Sequence, residues 1–280
     1  MTILMYQIPL GAWVDRFVDF LTANFAFIFD GAAILINWIV SGIASILAFA
    51  PALLLIAIFT ALAWWTSRWP IGIFTGLGLL LIYNLGYWDG TILTLSLVLT
   101  AVFISIVIGV PIGIWSSQNN TVKNVLTPIL DFMQTMPAFV YLIPAILFFG
   151  IGMVPGIIAS VVFAMPPTIR LTNLGIRQVP DELVEASNAF GSTRWQKLKK
   201  VQLPLATPTI MAGINQSIML ALSMVVIASL VGAPGLGTDV YRAVTQIQVG
   251  TGFEAGLSIV ILAIMLDRIS QNLGRRNSKE

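Results

Sequence analysis

The side chains able to do chemistry are sparse in this sequence, and their densest group is a run of cations. Arg194, Lys197, Lys199 and Lys200 fall within seven positions, inside the stretch EASNAFGSTRWQKLKKVQLPLA (185–206) that separates two long apolar segments. With no histidine and no cysteine, imidazole bases, thiol nucleophiles, disulfides and Cys/His metal sites are excluded. No G-x-x-x-x-G-K-[ST] phosphate loop occurs, and GAPGLG (232–237) lacks both the lysine and the hydroxyl in register, so it reads as a tight turn. The chemistry left to the basic run is recognition. Two readings stand: a projecting basic element that seats in a socket on another protein, where apolar anchors give affinity and charges give orientation, or a surface loop whose cations obey membrane topology and touch anionic lipid.

The elements around that run are mostly oil. The chain has 280 residues, is 58% hydrophobic and 9% charged, and has a mean hydropathy of +0.93. Runs such as ALLLIAIFTALAWW need the bilayer as solvent. A net charge of +2, with its cations interspersed among apolar runs, argues against a nucleic-acid partner. The opening MTILMYQIPLGAWVDRF lacks the pattern of a removable signal peptide, so insertion is expected to use internal spans. Residues 12–30 read as an amphipathic interfacial helix, and 31–49 as a weak span or re-entrant segment. Seven spans are expected near 50–66, 70–88, 92–116, 128–150, 154–170, 207–231 and 252–270. Under that scheme twelve of the fourteen Lys and Arg residues share one side, which makes it cytoplasmic together with the C-terminus. Residues 1–90 read as an accessory membrane portion and 91–280 as the working core.

Within the cytoplasmic insert, Pro180 followed by Asp181 and Glu182 marks a helix start. Gly191 offers a left-handed stop, and Thr193 with Gln196 forms a capping-box pattern that starts a second short helix. Pro204 is expected to close that helix and turn the chain back to the membrane. The insert, at about 181–203, is therefore a bent helix pair.

The same residues carry a family resemblance. Glu185-Ala186-Ser187, Gly191 and Val201-x-Leu203-Pro204 resemble the EAA signature (E-A-A-x3-G-x9-I-x-L-P) of permease subunits from binding-protein-dependent ABC importers, with Ser187 in place of the third Ala and Val201 in place of Ile. The stretches LDFMQTMPAFVYLIPAI, VVFAMPPTIRLTNLGIRQVP, LPLATPTIMAGINQSIMLALSMVVIASLVGAPGLG and LDRISQN are similar to the glycine betaine or osmoprotectant permeases of that superfamily, and the likeness spans most of 50–272. IPL and WVDRFVDF resemble that subfamily's N-terminal region.

The resemblance implies an all-α polytopic membrane protein: a type I ABC importer permease core of about five transmembrane helices, preceded by an accessory region of two or three membrane segments. It implies a prokaryotic cell-membrane location and a homodimer in lipid. It further implies two cytoplasmic ABC ATPases that bind ATP and Mg2+, and an extracytoplasmic substrate-binding protein near the Gly-rich turns. No cofactor and no catalysis would belong to this chain itself. Glu185, Ala186, Ser187, Gly191, Val201, Leu203 and Pro204 would be coupling residues, flanked by the charges of Arg194, Lys197, Lys199 and Lys200. The implied cargo is glycine betaine or a related quaternary ammonium solute; choline, carnitine, proline or an amino acid is the alternative.

A path through such a core needs polar groups at depth. Gln134, Asn215, Gln216 and Ser217 are the candidates, although the last three could equally be helix-packing glue. Phe139 and Tyr141 could attract a quaternary ammonium by cation–π contact or simply pack. Asp131 is expected near the first turn of its helix in a capping role, and Pro137, Pro144, Pro155, Pro166 and Pro167 are expected to kink or end helices. A gradient-driven carrier would need deep acids, and a membrane enzyme would need paired carboxylates; the sequence provides few of the former and does not place the latter within one span.

Overall fold

The computed structural model describes residues 9–276, with side chains through Asn272. The signal-peptide reading falls largely on 1–8, and the last basic residue, Lys279, lies beyond 276; both are outside the described residues. In order the elements are α1 (Leu10–Phe49), α2 (Ala52–Thr66), α3 (Trp69–Asn84), α4 (Trp88–Gln118), α5 (Asn120–Thr135), a 3-10 turn (Ala138–Tyr141), α6 (Leu142–Phe149), α7 (Met153–Arg177), α8 (Asp181–Ala189), α9 (Arg194–Lys197), a π turn (Leu198–Gln202), α10 (Leu203–Ser229), α11 (Leu236–Thr245) and α12 (Val249–Arg276). An all-helical chain is what hydrocarbon demands, because only a helix or a closed barrel satisfies every backbone group internally.

Among the described residues five helices are long and apolar enough to cross a bilayer, α1, α4, α7, the α9–α10 unit and α12, and the bent pair α5 with the 3-10 turn and α6 would make a sixth if it is one span. Several expected boundaries are corrected. Residues 10–49 are helical throughout but consist of two helices joined at a kink at Phe25, so the division falls earlier than the expected boundary between 12–30 and 31–49. No proline falls between Pro9 and Pro51 to end the helical run, and only Phe25 leaves helical geometry (φ −121°, ψ 16°). The expected spans 50–66 and 70–88 are helices of 15 and 16 residues, about 22–24 Å long and short of a hydrocarbon core of about 30 Å. They pair as a hairpin, with Gly72 against Trp64 and Gly76 against Thr60. Ile56, Leu79 and Ile82 bury the hairpin on Ile261, Leu262 and Met265 of α12.

The expected span 128–150 is broken. Pro137 has no N–H and pushes Met136 into extended geometry (φ −68°, ψ 136°), and the helices on either side of the break meet at 107°. Tyr141 spans the break by donating its hydroxyl to the Met133 carbonyl. Asp131 therefore lies late in α5, not in a first turn, and pairs with Arg170 of α7 at 2.5 Å. Pro166 and Pro167, by contrast, sit inside an uninterrupted α7.

α7 is the centre of the bundle. Two thirds of its apolar window is buried (67%), against 11% for α1. Small residues let its neighbours come close, as in other membrane bundles: Gly109 and Gly113 of α4 lie against Thr168 and Thr172, and Gly213 of α10 lies on the Pro167 carbonyl. A Cβ on Gly113 would sit 2.5 Å from the Thr172 Cβ and 2.9 Å from the Ile169 carbonyl oxygen. Gly113→Leu should therefore destabilise the fold by about 3 kcal/mol, read as a lowered melting temperature in detergent. Gly256→Ala, at a glycine with no atom within 4 Å, should leave the melt unchanged.

Candidate functional site

The two ends of the bundle are tied differently. At one end Arg177 Nη2 donates to the Ser116 carbonyl (3.1 Å) and to Asn120 Oδ1 (2.8 Å), and Gln118 Nε2 donates to Gln202 Oε1 (3.3 Å). At the other end Leu236 N donates to Thr94 Oγ1 (2.9 Å) and Gly152 N to the Val231 carbonyl (2.8 Å). The GAPGLG turn belongs to this second end. α11 follows it, and there burial pushes the Asp239 carboxyl above its usual range while Arg242 pulls the other way.

The first end carries a helical elbow. α8 starts after Pro180 with Asp181 and Glu182 in its first turn, where acids face the positive end of the helix dipole. It stops at Gly191, whose φ of +75° is left-handed. Gly191 N donates to the Asn188 carbonyl (2.9 Å) and Ser192 N to the Ser187 carbonyl (3.1 Å), a Schellman pair. Thr193 and Gln196 then make a reciprocal capping box that opens α9. Lys197 Nζ reaches back to Asn188 Oδ1 (3.1 Å).

The second helix does not stop at Pro204. It runs from Arg194 to Ser229 as one rod, because the π turn shifts the hydrogen-bond register just before the proline: Leu203 N donates to the Leu198 carbonyl, five residues back. A wider turn makes room for a ring that would otherwise collide with the carbonyl four residues earlier. Leu198 is buried against Ile176 and Ala206 and anchors the elbow to α7 and α10.

Glu185, Ala186, Gly191, Arg194, Lys199, Lys200 and Pro204 are exposed, Lys197, Val201 and Leu203 are half-buried, and Ser187 is buried. Phe190 (90% exposed) and Trp195 (66%) stand open beside them. The EAA pattern does not single out these two rings; their signal was the presence of large aromatics in a soluble insert.

A second feature lies between α5, α7, α10 and α12. It is an open cleft of about 650 Å³ lined by Gln134, Pro167, Pro208, Met211, Asn215, Gln216, Met219, Asp267 and Gln271, among others, a size in the range of small-molecule sites. It runs along three turns of α10 towards the elbow end. Gln134, Asn215 and Gln216 meet there. Ser217 does not: it is fully buried, donating to the Ala164 carbonyl (2.5 Å) and sharing a hydrogen bond with Thr168 Oγ1 (2.7 Å), beside the α7 prolines. Phe139 is exposed on the 3-10 turn, and Tyr141 is used in closing the break, so neither lines the cleft. Asp267 and Gln271 were missed, because only the folded chain brings the last helix against α10.

Residues 105–279 match the family model for the "binding-protein-dependent transport system inner membrane component". The chain belongs to that family. Curated relatives agree along nearly its whole length. The glycine betaine transport system permease protein OpuAB of Bacillus subtilis is 65% identical over 95% of both chains. The glycine betaine/carnitine transport permease protein GbuB of Listeria monocytogenes is 56% identical over 98% of both. ProW of Escherichia coli, a glycine betaine/proline betaine transport system permease protein, is 47% identical over 96% of this chain and 76% of its own. A chain of the MetNI methionine ABC transporter, solved in inward-facing conformations, superposes with a TM-score of 0.62 at 24% identity over 66% of this chain and 93% of its own, which supports the fold. This inner membrane component is thus a multi-pass transport protein of the type I ABC importer permease fold.

The Schellman stop of the elbow has a local test. Gly191 has no atom within 4 Å, so any substitution there meets backbone strain and not a clash within this chain. Gly191→Ala should weaken the end of α8 by about 1 kcal/mol, seen as roughly five-fold faster hydrogen exchange at the Ser192 amide.

Proposed function

We propose that this chain is the membrane-spanning permease subunit of an ATP-driven importer for glycine betaine or related quaternary ammonium compatible solutes. The observation that carries the reading is the end-to-end identity with three permeases whose names all include glycine betaine. The elbow end lies in the cytoplasm, in keeping with its cations, and the chain works as a homodimer. Two ATPase subunits supply the ATP and Mg2+ chemistry, and a binding protein delivers solute at the α11 end.

The exposed elbow and the helix that leaves it support a route for coupling. Phe190, Trp195 and the exposed Glu185 and Ala186 form the face an ATPase grips, while Arg194, Lys199 and Lys200 orient it. When the two ATPases close on ATP, each draws its elbow inward. The rod from Arg194 to Ser229, about 54 Å long, carries that movement through the membrane, closes the inner mouth of the cleft and opens the outer end. Hydrolysis lets the elbows separate again.

The test is reconstitution in vesicles with the cognate ATPase and the loaded binding protein. Glycine betaine uptake should require ATP and all three components. Gly191→Ala and Gly191→Trp carry the same backbone strain, so any further loss in the Trp variant reports a partner surface. That extra loss should be at least about 30-fold in assembly or uptake, the scale of an interface hot spot. Equal behaviour of the two variants would remove the coupling assignment.

A further inference from the structure

We infer that the cleft between α5, α7, α10 and α12 is itself a low-affinity binding site for a zwitterionic methylammonium solute. Asp267 faces the cationic head, and the side-chain amides of Gln134, Gln216 and Gln271 are the donors for the carboxylate. This rests on the reading of the chain as a permease and extends it to the site the solute occupies in transit.

The charge pattern of the cleft selects the ligand class. Among the described residues Asp267 is the one ionisable side chain lining the cleft, so that lining favours a cation and disfavours plain anions. Its side chain is only 19% exposed. Gln271 Nε2 donates to Asp267 Oδ1 at 2.6 Å and orients the carboxylate. Among the described residues the other oxygen makes a loose ion pair with the half-exposed Arg268, Nε at 3.9 Å, longer than a hydrogen bond, so its lone pairs can still be approached by a second cation. A trimethylammonium group has no N–H to donate, so a nearby negative charge and soft apolar walls are what it can use. Met211, Met219 and Pro208 supply the walls.

The amides complete the match. A side-chain NH2 group donates two hydrogen bonds and carries no charge, so it can hold a carboxylate without a counter-ion that would have to be desolvated in each cycle. No aromatic ring lines the cleft, so the cation–π contribution that tightens quaternary ammonium sites is absent. The site is therefore weak, which is what release into the cytoplasm needs.

The absence of cysteine makes the test direct. Gln216→Cys places one thiol in the cleft of the nucleotide-free complex with its ATPases, held in nanodiscs so that both faces are open. A trimethylammonium-ethyl methanethiosulfonate and the neutral methyl methanethiosulfonate are compared as labels. The ratio of cationic to neutral labelling rate should fall about five-fold when Asp267→Asn is added and recover with Asp267→Glu, while the neutral rate, which reports an intact cleft, stays constant. Millimolar glycine betaine should slow both labels, and equimolar acetate should not. An unchanged ratio in Asp267→Asn, or no protection by betaine, overturns the site. So does a thiol that resists both reagents and crosslinks between copies, since the second subunit would then fill the cleft. Loss of ATP-driven betaine uptake by the unmodified complex would instead overturn the permease reading, and it is measured separately.

Discussion

Proline inside a helix normally costs about 3 kcal/mol, since it removes one backbone bond and pushes against the carbonyl of the preceding turn. Pro204 sits where that cost would cut the elbow from the membrane. The π turn at Leu198–Gln202 removes the conflict by widening the helix before the ring arrives, and Leu198 pins the widened turn into the bundle. A break at this point would leave a soft joint, and a force applied at Trp195 would be lost in bending it. The rod instead ties the elbow to Asn215 and Gln216 through continuous helical geometry, which holds although Pro204 and Pro208 each leave out one backbone hydrogen bond. The proposed transport coupling would depend on that stiffness.

Stiffness in the rod is useful only if something else yields. α7 is held to α4 and α10 by glycines, threonines and serines at close approach, including the Ser217–Thr168 bond, and packing of this kind has discrete arrangements with little room for deformation. The cleft side of α10 is different. Its walls carry Met211 and Met219 and unbonded amides, and it faces α5, whose only ion pair among the described residues is the half-exposed Asp131–Arg170, a link worth little in a polar setting. The broken α5–α6 segment, bridged mainly by Tyr141, completes a compliant flank opposite the stiff one. The bundle thus divides into a tight wedge and a loose wall, with the solute space between them.

How much of this was legible in the sequence depended on the range of the interaction. Gly191, Thr193 and Gln196 act within six residues, and both the left-handed stop and the capping box could be read directly. Pro137 was expected to kink or end its helix and does; what the sequence did not show was the size of the break within 128–150, because hydropathy measures composition and is blind to a missing N–H. Pro204 misled in the opposite direction. Whether a helix ends at a proline or widens before it depends on what anchors the preceding turn, and Leu198 finds Ile176 and Ala206 only in the folded bundle. Residues 10–49 were divided between 30 and 31, whereas the kink falls at Phe25, and the later part stays helical through Asn37 and Ser41 because a helix keeps its own backbone bonds. The cleft showed the same limit: Gln134, Asn215 and Gln216 were suspect as polar groups at depth, whereas nothing in the sequence singled out Asp267 within the expected span 252–270.

The division of labour between the permease and its binding protein follows from the lining of the cleft. An external receptor has to capture solute from dilute solution and can use aromatic rings to do so, since docking and closure of the transporter will prise the solute out again. A permease that bound as tightly would hold its cargo in the inward-open state. With Phe139 outside the cleft and Tyr141 occupied at the helix break, the described lining keeps amides and one carboxylate as its polar groups, beside thioethers, prolines and small aliphatic side chains. Those groups are enough to exclude an anion and to hold a zwitterion briefly, and too few to distinguish sharply among methylammonium solutes. On the proposed reading, selectivity then resides upstream, and the direction of transport is imposed by the elbow rather than by the affinity of the path.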